Sequence, residues 1–177
     1  MDAPRPIIGS TRQAARATAT PAPAKSGVPP LGLMPERVLI ADDSLAMLDI
    51  IATVLQSLGV VNAYPVNTGS AAINFLYHSP QPVDVVMADL DMPHGTGLNL
   101  LQTIRSGAIR NVRPDMCVIL FSGLWTTETL TLSRQLDVNG VLAKPFSPGK
   151  LRDEIMAARR RVFPLDFNRY RCVSLAN

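Results

Sequence analysis

Short apolar runs alternate along the chain with longer segments in which apolar residues recur at helical spacing. Near-continuous apolar runs suit the strands of a parallel sheet that is covered on both faces. The candidate strands are 38–41, 60–66, 83–88, 116–121 and 141–143. The helical segments that follow them are 46–58, 68–77, a third from 97, 125–136 and a fifth from 147 or 148. This alternation predicts an α/β fold, a doubly wound five-stranded parallel sheet with helices on both faces. Pro65 in the second run favours an edge strand there.

Polar residues with reactive side chains follow four of these runs directly. Asp42 and Asp43 follow the first run, and Asp89 follows the third. Ser122 and Lys144 follow the fourth and the fifth. Because the carboxyl ends of parallel strands lie at one edge of the sheet, we expect these side chains to meet there.

This set of residues predicts phosphoryl chemistry. The carboxylates of Asp42, Asp43 and Asp89 would repel one another unless a cation lay between them. Oxygen ligands of this kind suit Mg²⁺, which also binds phosphate oxygens. Ser122 and Lys144 add a hydroxyl and an ammonium group that can neutralise phosphoryl oxygens. Asp89 is the predicted nucleophile, which would carry the phosphoryl group as an acyl phosphate.

Composition and charge are unusual mainly in the two terminal segments. The net charge is +3, and the excess of basic residues lies in the terminal segments, for which solvated ends are favoured over nucleic-acid binding. The chain has neither a secretory signal nor an apolar run long enough to cross a membrane. It has only two cysteines, which is too few for a disulfide framework, and together with the missing secretory signal this predicts a reducing compartment. Residues 1–35 are rich in proline and alanine and predict a disordered extension.

Four segments together resemble a known family. VLIADDS (38–44), VVMADLDMPHGTG (85–97), VILFSG (118–123) and VLAKPF (141–146) are similar, in this order, to the signatures of the response-regulator receiver domain of two-component systems. The resemblance covers residues 37–160 and implies a (βα)₅ flavodoxin-like fold. It implies that Asp89 takes a phosphoryl group from a histidine of a sensor kinase or a histidine phosphotransfer protein.

The same resemblance implies roles for the neighbouring residues. Asp43 and Asp89 would ligate Mg²⁺ by side chain, Asp42 would act partly through water, and Asp91 would offer its backbone carbonyl. Ser122 and Lys144 would contact the phosphoryl group, and the peptide between Lys144 and Pro145 would be cis.

The chain departs from the family's pattern at Val141, where many receivers carry an aromatic residue that couples to the serine or threonine. The resemblance therefore does not extend to the usual aromatic switch. Trp125 lies close to Ser122 along the chain, and the sequence leaves open whether it belongs to the core or to a surface that faces a partner.

We expect residues 36–161 to form a stand-alone receiver domain and residues 162–177 a short basic tail. We expect the protein to be a cytoplasmic phosphoprotein rather than an enzyme. It would present its fourth helix, fifth strand and fifth helix to a downstream protein, or act as a phosphate shuttle or sink. One alternative is a receiver fold that docks partners without phosphorylation. Another is an aspartyl phosphatase of the haloacid-dehalogenase type, which the order of the acidic residues along the chain disfavours.

Overall fold

The computed structural model describes residues 34–175, so the predicted N-terminal extension lies almost wholly outside the described residues. Strands and helices alternate as predicted, and one further helix follows. The strands are β1 (Arg37–Ala41), β2 (Asn62–Val66), β3 (Val85–Asp89), β4 (Cys117–Ser122) and β5 (Gly140–Ala143). The helices are α1 (Leu45–Ser57), α2 (Gly69–His78), α3 (Gly97–Arg105), α4 (Thr127–Gln135), α5 (Pro148–Ala158) and α6 (Phe167–Cys172).

All strand pairs are parallel, and the order across the sheet is β2-β1-β3-β4-β5. This arrangement confirms the predicted doubly wound fold, and β2, which contains Pro65, is an edge strand as expected. Successive side chains of a strand point to opposite faces, so each central strand contributes to two cores. One core packs α1 and α5 against the sheet, and the other packs α2, α3, α6 and the end of α4.

Hydroxyl side chains begin the first five helices. Ser44, Thr68, Thr96, Thr126 and Ser147 each accept a hydrogen bond from a backbone N–H in the first turn of the helix that follows. Four of these caps lie a few residues beyond a strand end, which keeps the loops at this edge of the sheet short. The fourth helix begins at Thr127 and not at Trp125, because the reciprocal side-chain bonds of Thr126 and Thr129 form a capping box.

The segment predicted as a basic tail contains helix α6. Tyr170 of this helix is fully buried, and Gln102 of α3 donates hydrogen bonds to the carbonyls of Tyr170 and Val173. The last turns of the described chain therefore pack on α3. None of the helices in the described part of the chain combines the length and the apolar character that a membrane crossing requires.

Candidate functional site

Strands β1 and β3 are neighbours in the sheet, and their carboxyl ends bring the acidic residues together. Asp42 and Asp43 follow β1 directly, and Asp89 is the last residue of β3. The chain connections of β1 and β3 diverge from this point to β2 and β4, which is where doubly wound sheets open a crevice for ligands. The predicted convergence of Asp42, Asp43 and Asp89 at one sheet edge is therefore observed.

Lys144 joins two of these carboxylates. Its Nζ lies 2.7 Å from Asp42 Oδ2 and 3.0 Å from Asp89 Oδ1. Lys144 reaches this position because β5 ends beside β4, where the backbone carbonyl of Ser122 accepts a hydrogen bond from the backbone N–H of Lys144 at 2.8 Å. The ammonium also lies 4.9 Å from the centre of the Phe121 ring, an arrangement that favours a cation.

Asp42 is fully buried, and both of its carboxylate oxygens have partners. Oδ2 accepts from Lys144, and Oδ1 accepts from the Ser44 N–H at 2.8 Å. A buried carboxylate is costly unless it is paired and hydrogen-bonded, so these contacts explain how Asp42 stays in the interior. Asp42 thereby fixes the position of Lys144 opposite Asp89.

Opposing effects act on the protonation of Asp89 and Lys144. Burial raises the pKa of Asp89; Lys144 lowers it, the charges of Asp42 and Asp91 raise it, and the net pKa is raised. Burial alone would lower the pKa of Lys144, but its contacts with Asp42 and Asp89 outweigh burial, and the pKa is raised. The contacts with Asp42 and Asp89 thus favour the charged form of Lys144, whereas burial and the neighbouring acids disfavour the charged form of Asp89.

The three carboxylates suit a divalent cation. Asp42, Asp43 and Asp89 each offer one oxygen, and these oxygens lie within 4.8 Å of one another. Asp43 is exposed, while Asp42 and Asp89 are buried, so the cluster opens to solvent on one side. A small set of hard oxygen ligands with room for water is the kind of site that Mg²⁺ occupies. The donor set therefore fits the predicted metal.

Two of the predicted site residues lie outside this cluster of contacts. Asp91 is exposed, two residues beyond Asp89, and its side chain is not among the three clustered carboxylates. Its predicted backbone contact with a metal stays a prediction. The Ser122 hydroxyl bonds within its own loop, donating to the Leu124 carbonyl at 2.9 Å and accepting from the Leu124 N–H at 3.0 Å. Ser122 is at the predicted sheet edge, but its hydroxyl makes no hydrogen bond to the side chain of Asp89 or Lys144.

The loop after Asp89 packs closely against the site. A Cβ on Gly97 would lie 2.4 Å from the Asp89 carbonyl oxygen, so only glycine fits at the start of α3. The peptide between Lys144 and Pro145 is cis, as the resemblance implies. Sequence reasoning did not identify the ring of Phe121 as a neighbour of Lys144; its position directly before Ser122 in β4 is the only signal.

Comparisons with known proteins agree with this geometry. A family model described as the response regulator receiver domain matches residues 38–156. The chemotaxis protein CheY of Pseudomonas aeruginosa is 30% identical over 126 residues, which cover 71% of this chain and 98% of that protein. The probable transcriptional regulator ycf27 of Guillardia theta is 34% identical over 128 residues, 71% of this chain. The chain spans 46% of the length of that relative.

Solved structures give the same fold. The receiver domain of a sensor histidine kinase from Pseudomonas aeruginosa, which has a magnesium ion coordinated in its active-site cleft, aligns with a TM-score of 0.61 at 21% identity. The alignment covers 70% of this chain and 97% of that one. The receiver domain of the Francisella response regulator 1452 aligns with a TM-score of 0.60 at 26% identity, over 71% and 97% of the two chains. The chain belongs to the response-regulator receiver family.

Proposed function

We propose that this receiver domain is a Mg²⁺-dependent phosphoacceptor in a two-component phosphorelay, with Asp89 as the residue that is phosphorylated. The observation that carries the proposal is the contact of Lys144 with both Asp42 and Asp89, at distances of 2.7 and 3.0 Å, beside the exposed carboxylate of Asp43. This arrangement supplies a nucleophile, a fixed positive charge and a set of metal ligands at one sheet edge.

The proposed step is a transfer to an oxygen of the Asp89 carboxylate. This oxygen forms a bond to phosphorus while the bond from phosphorus to the imidazole nitrogen of a partner's phosphohistidine breaks. The imidazole leaves with the electron pair, and the product on Asp89 is an acyl phosphate. Lys144, which lies against Asp89 in the structure, is placed to neutralise charge on the phosphoryl oxygens.

The carboxylates of Asp42, Asp43 and Asp89 would hold the metal, with the backbone carbonyl of Asp91 as a further proposed ligand. When bound, Mg²⁺ supplies positive charge that stabilises the transferring phosphoryl group. The burial of Asp42 and its bond from Ser44 keep one ligand of this set in place before any cation arrives.

We further propose that the protein is a signalling component without its own catalytic turnover, and that it works in the cytoplasm with a sensor histidine kinase or a histidine phosphotransfer protein. Its output would go to a protein that binds the surface formed by α4, β5 and α5. The family membership and the order of the acidic residues along the chain support this reading over a phosphatase.

Mass spectrometry of the intact protein tests the proposal. The wild-type chain is incubated with acetyl phosphate and Mg²⁺, and we expect one added phosphoryl group. Asp89→Asn should take up none, and chelation of Mg²⁺ should prevent uptake in the wild type. Asp49→Asn is the matched control, because Asp49 is an exposed residue of α1. An adduct on Asp89→Asn, or sustained hydrolysis of p-nitrophenyl phosphate by the wild type, would contradict the proposal.

A further inference from the structure

The loop from β4 to α4 joins the proposed phosphoryl site to the surface that α4 and β5 form. In the structure, the Ser122 hydroxyl is held inside this loop by its two bonds with Leu124. The side chain of Leu124 is 72% exposed, so it adds no packing that would anchor the loop. For Ser122 to contact a phosphoryl group on Asp89, its hydroxyl has to release Leu124, and the loop has to change.

Trp125 is the residue that ties this loop to the sheet. Its indole N–H donates to the carbonyl of Leu142 at 2.9 Å, and its half-buried ring packs against the core on the face of the sheet that α2, α3 and α6 cover. Leu142 lies on β5, two residues before Lys144, so this hydrogen bond ends close to the cation of the site. Two sets of hydrogen bonds therefore hold the loop: those between the Ser122 hydroxyl and the Leu124 backbone, and the one from the Trp125 indole to the Leu142 carbonyl.

The hydrogen bond from Trp125 matters because the neighbouring position of β5, Val141, is not aromatic. The side chain at this position of β5 is aliphatic and 37% exposed, so β5 itself offers no aromatic group that could follow a movement of Ser122. Trp125 approaches the same strand from the loop side and bonds the next residue along, Leu142. An aromatic contact between the Ser122 loop and β5 therefore exists, with the aromatic residue on the loop.

We propose that Trp125 is a positioning residue that holds the Ser122 loop on β5 in the resting state, and that this contact is lost or rearranged when Ser122 turns to a phosphoryl group on Asp89. The inference rests on the proposed phosphorylation of Asp89. A hydrogen bond that exists only in the resting arrangement of the loop stabilises that arrangement relative to the phosphorylated one. By linkage, phosphorylation of the site must in turn weaken this hydrogen bond. Removing the indole N–H should therefore favour the phosphorylated arrangement.

The experiment uses the fact that the chain has one tryptophan, Trp125. Beryllium fluoride, which binds carboxylates as a phosphoryl mimic, is titrated into the protein with Mg²⁺, and its binding is followed by fluorine NMR. We expect the emission of Trp125 to change in proportion to the adduct. Ser122→Ala removes a contact to the bound mimic, so the adduct should need more beryllium fluoride to form. Once the adduct is saturated, most of the emission change should be absent in this variant.

Trp125→Phe keeps an aromatic ring and removes the N–H donor. We expect the half-saturating concentration of beryllium fluoride to fall about fivefold, the factor that one hydrogen bond of ordinary net strength represents. A purely structural role would lower the stability of the variant to urea and leave this concentration unchanged.

The outcomes separate the two proposals. Absence of an adduct in the wild type would contradict the phosphoacceptor function and the inference with it. An adduct without a change in emission, an equal change in Ser122→Ala, or an unchanged half-saturating concentration in Trp125→Phe would overturn the role of Trp125 and leave the function of Asp89 standing.

Discussion

A buried network of hydrogen bonds holds helix α6 in place. Its central contact is made by the hydroxyl of Tyr170, which a single substitution can remove. The hydroxyl of Tyr170 donates to Asp137 Oδ2 at 2.7 Å. The same carboxylate pairs with Arg169, and the backbone carbonyl of Asp137 accepts from the buried guanidinium of Arg105 at 3.0 Å. Arg105 also donates to Asn139 Oδ1 at 2.6 Å. The network therefore links α6 to the ends of α3 and α4.

Tyr170→Phe keeps the buried ring and deletes the donor. A hydrogen bond to a charged group contributes about 1.5–3 kcal/mol to stability. Because Arg169 still pairs with the Asp137 carboxylate, we expect the free energy of unfolding to fall by the lower end of that range, about 1.5 kcal/mol. Tyr170→Ala removes the fully buried ring as well, and the cavity should bring the loss to about 3–5 kcal/mol.

Urea unfolding followed by circular dichroism measures these differences. Tyr77→Phe is the matched control, because the Tyr77 side chain is 49% exposed, and its loss should stay within about 0.5 kcal/mol. A stability of Tyr170→Phe within the same margin of the wild type would refute the reasoning. It would mean that the bond from the Tyr170 hydroxyl to Asp137 adds nothing to stability; if Tyr170→Ala were also unchanged, α6 would behave as the tail predicted from the sequence.

Three further predictions concern the site and the thiols. Gly97→Ala places a Cβ against the Asp89 carbonyl, so we expect it to lower the free energy of unfolding by about 1–3 kcal/mol and to abolish phosphorylation by acetyl phosphate. A Cβ on Gly149 would meet nothing within 4 Å, so the control Gly149→Ala should change neither. The same loss of stability and phosphorylation in both variants would contradict this prediction. Asp43→Asn should weaken Mg²⁺ binding, measured by calorimetry, about tenfold or more, since even outer partners of metal ligands contribute that much; unchanged affinity would remove Asp43 from the site. Burial raises the pKa of Cys117 to about 12, so a thiol reagent at neutral pH should label exposed Cys172 readily and Cys117 only after unfolding; equal labelling rates in the folded protein would show that Cys117 is accessible.

The sheet and the acidic cluster could be predicted from the sequence because both depend on local patterns. Apolar runs defined the strands, and the residue after each run was placed at the sheet edge by the parallel topology alone. Asp42, Asp43, Asp89 and Lys144 lie together as that argument requires.

Helix α6 and the network beneath it depend on contacts between distant parts of the chain. Tyr170 finds its acceptor on Asp137 at the end of α4, and Gln102 of α3 caps the carbonyls of Tyr170 and Val173. The six residues of α6 include three basic or polar ones on a short helix, which by itself predicts a solvated end. Its stability comes from tertiary packing that no local pattern shows.

The bonds of Ser122 and Trp125 were beyond sequence reasoning for a related reason. A hydroxyl at a strand end can turn to a ligand or to its own loop, and the choice depends on backbone geometry within a few ångströms. The sequence indicated the chemistry that Ser122 can perform, while the structure shows the hydroxyl on Leu124.

The central claim is that the Asp89 carboxylate carries the phosphoryl group, and chemical trapping tests it most directly. Borohydride reduces an acyl phosphate of aspartate to homoserine, which peptide mass spectrometry locates in the chain. After treatment with acetyl phosphate and Mg²⁺, we predict homoserine at position 89 and at no other acidic residue. Homoserine at Asp42, Asp43 or Asp91, or a phosphoryl adduct that resists borohydride and lies on Ser122, would contradict the account.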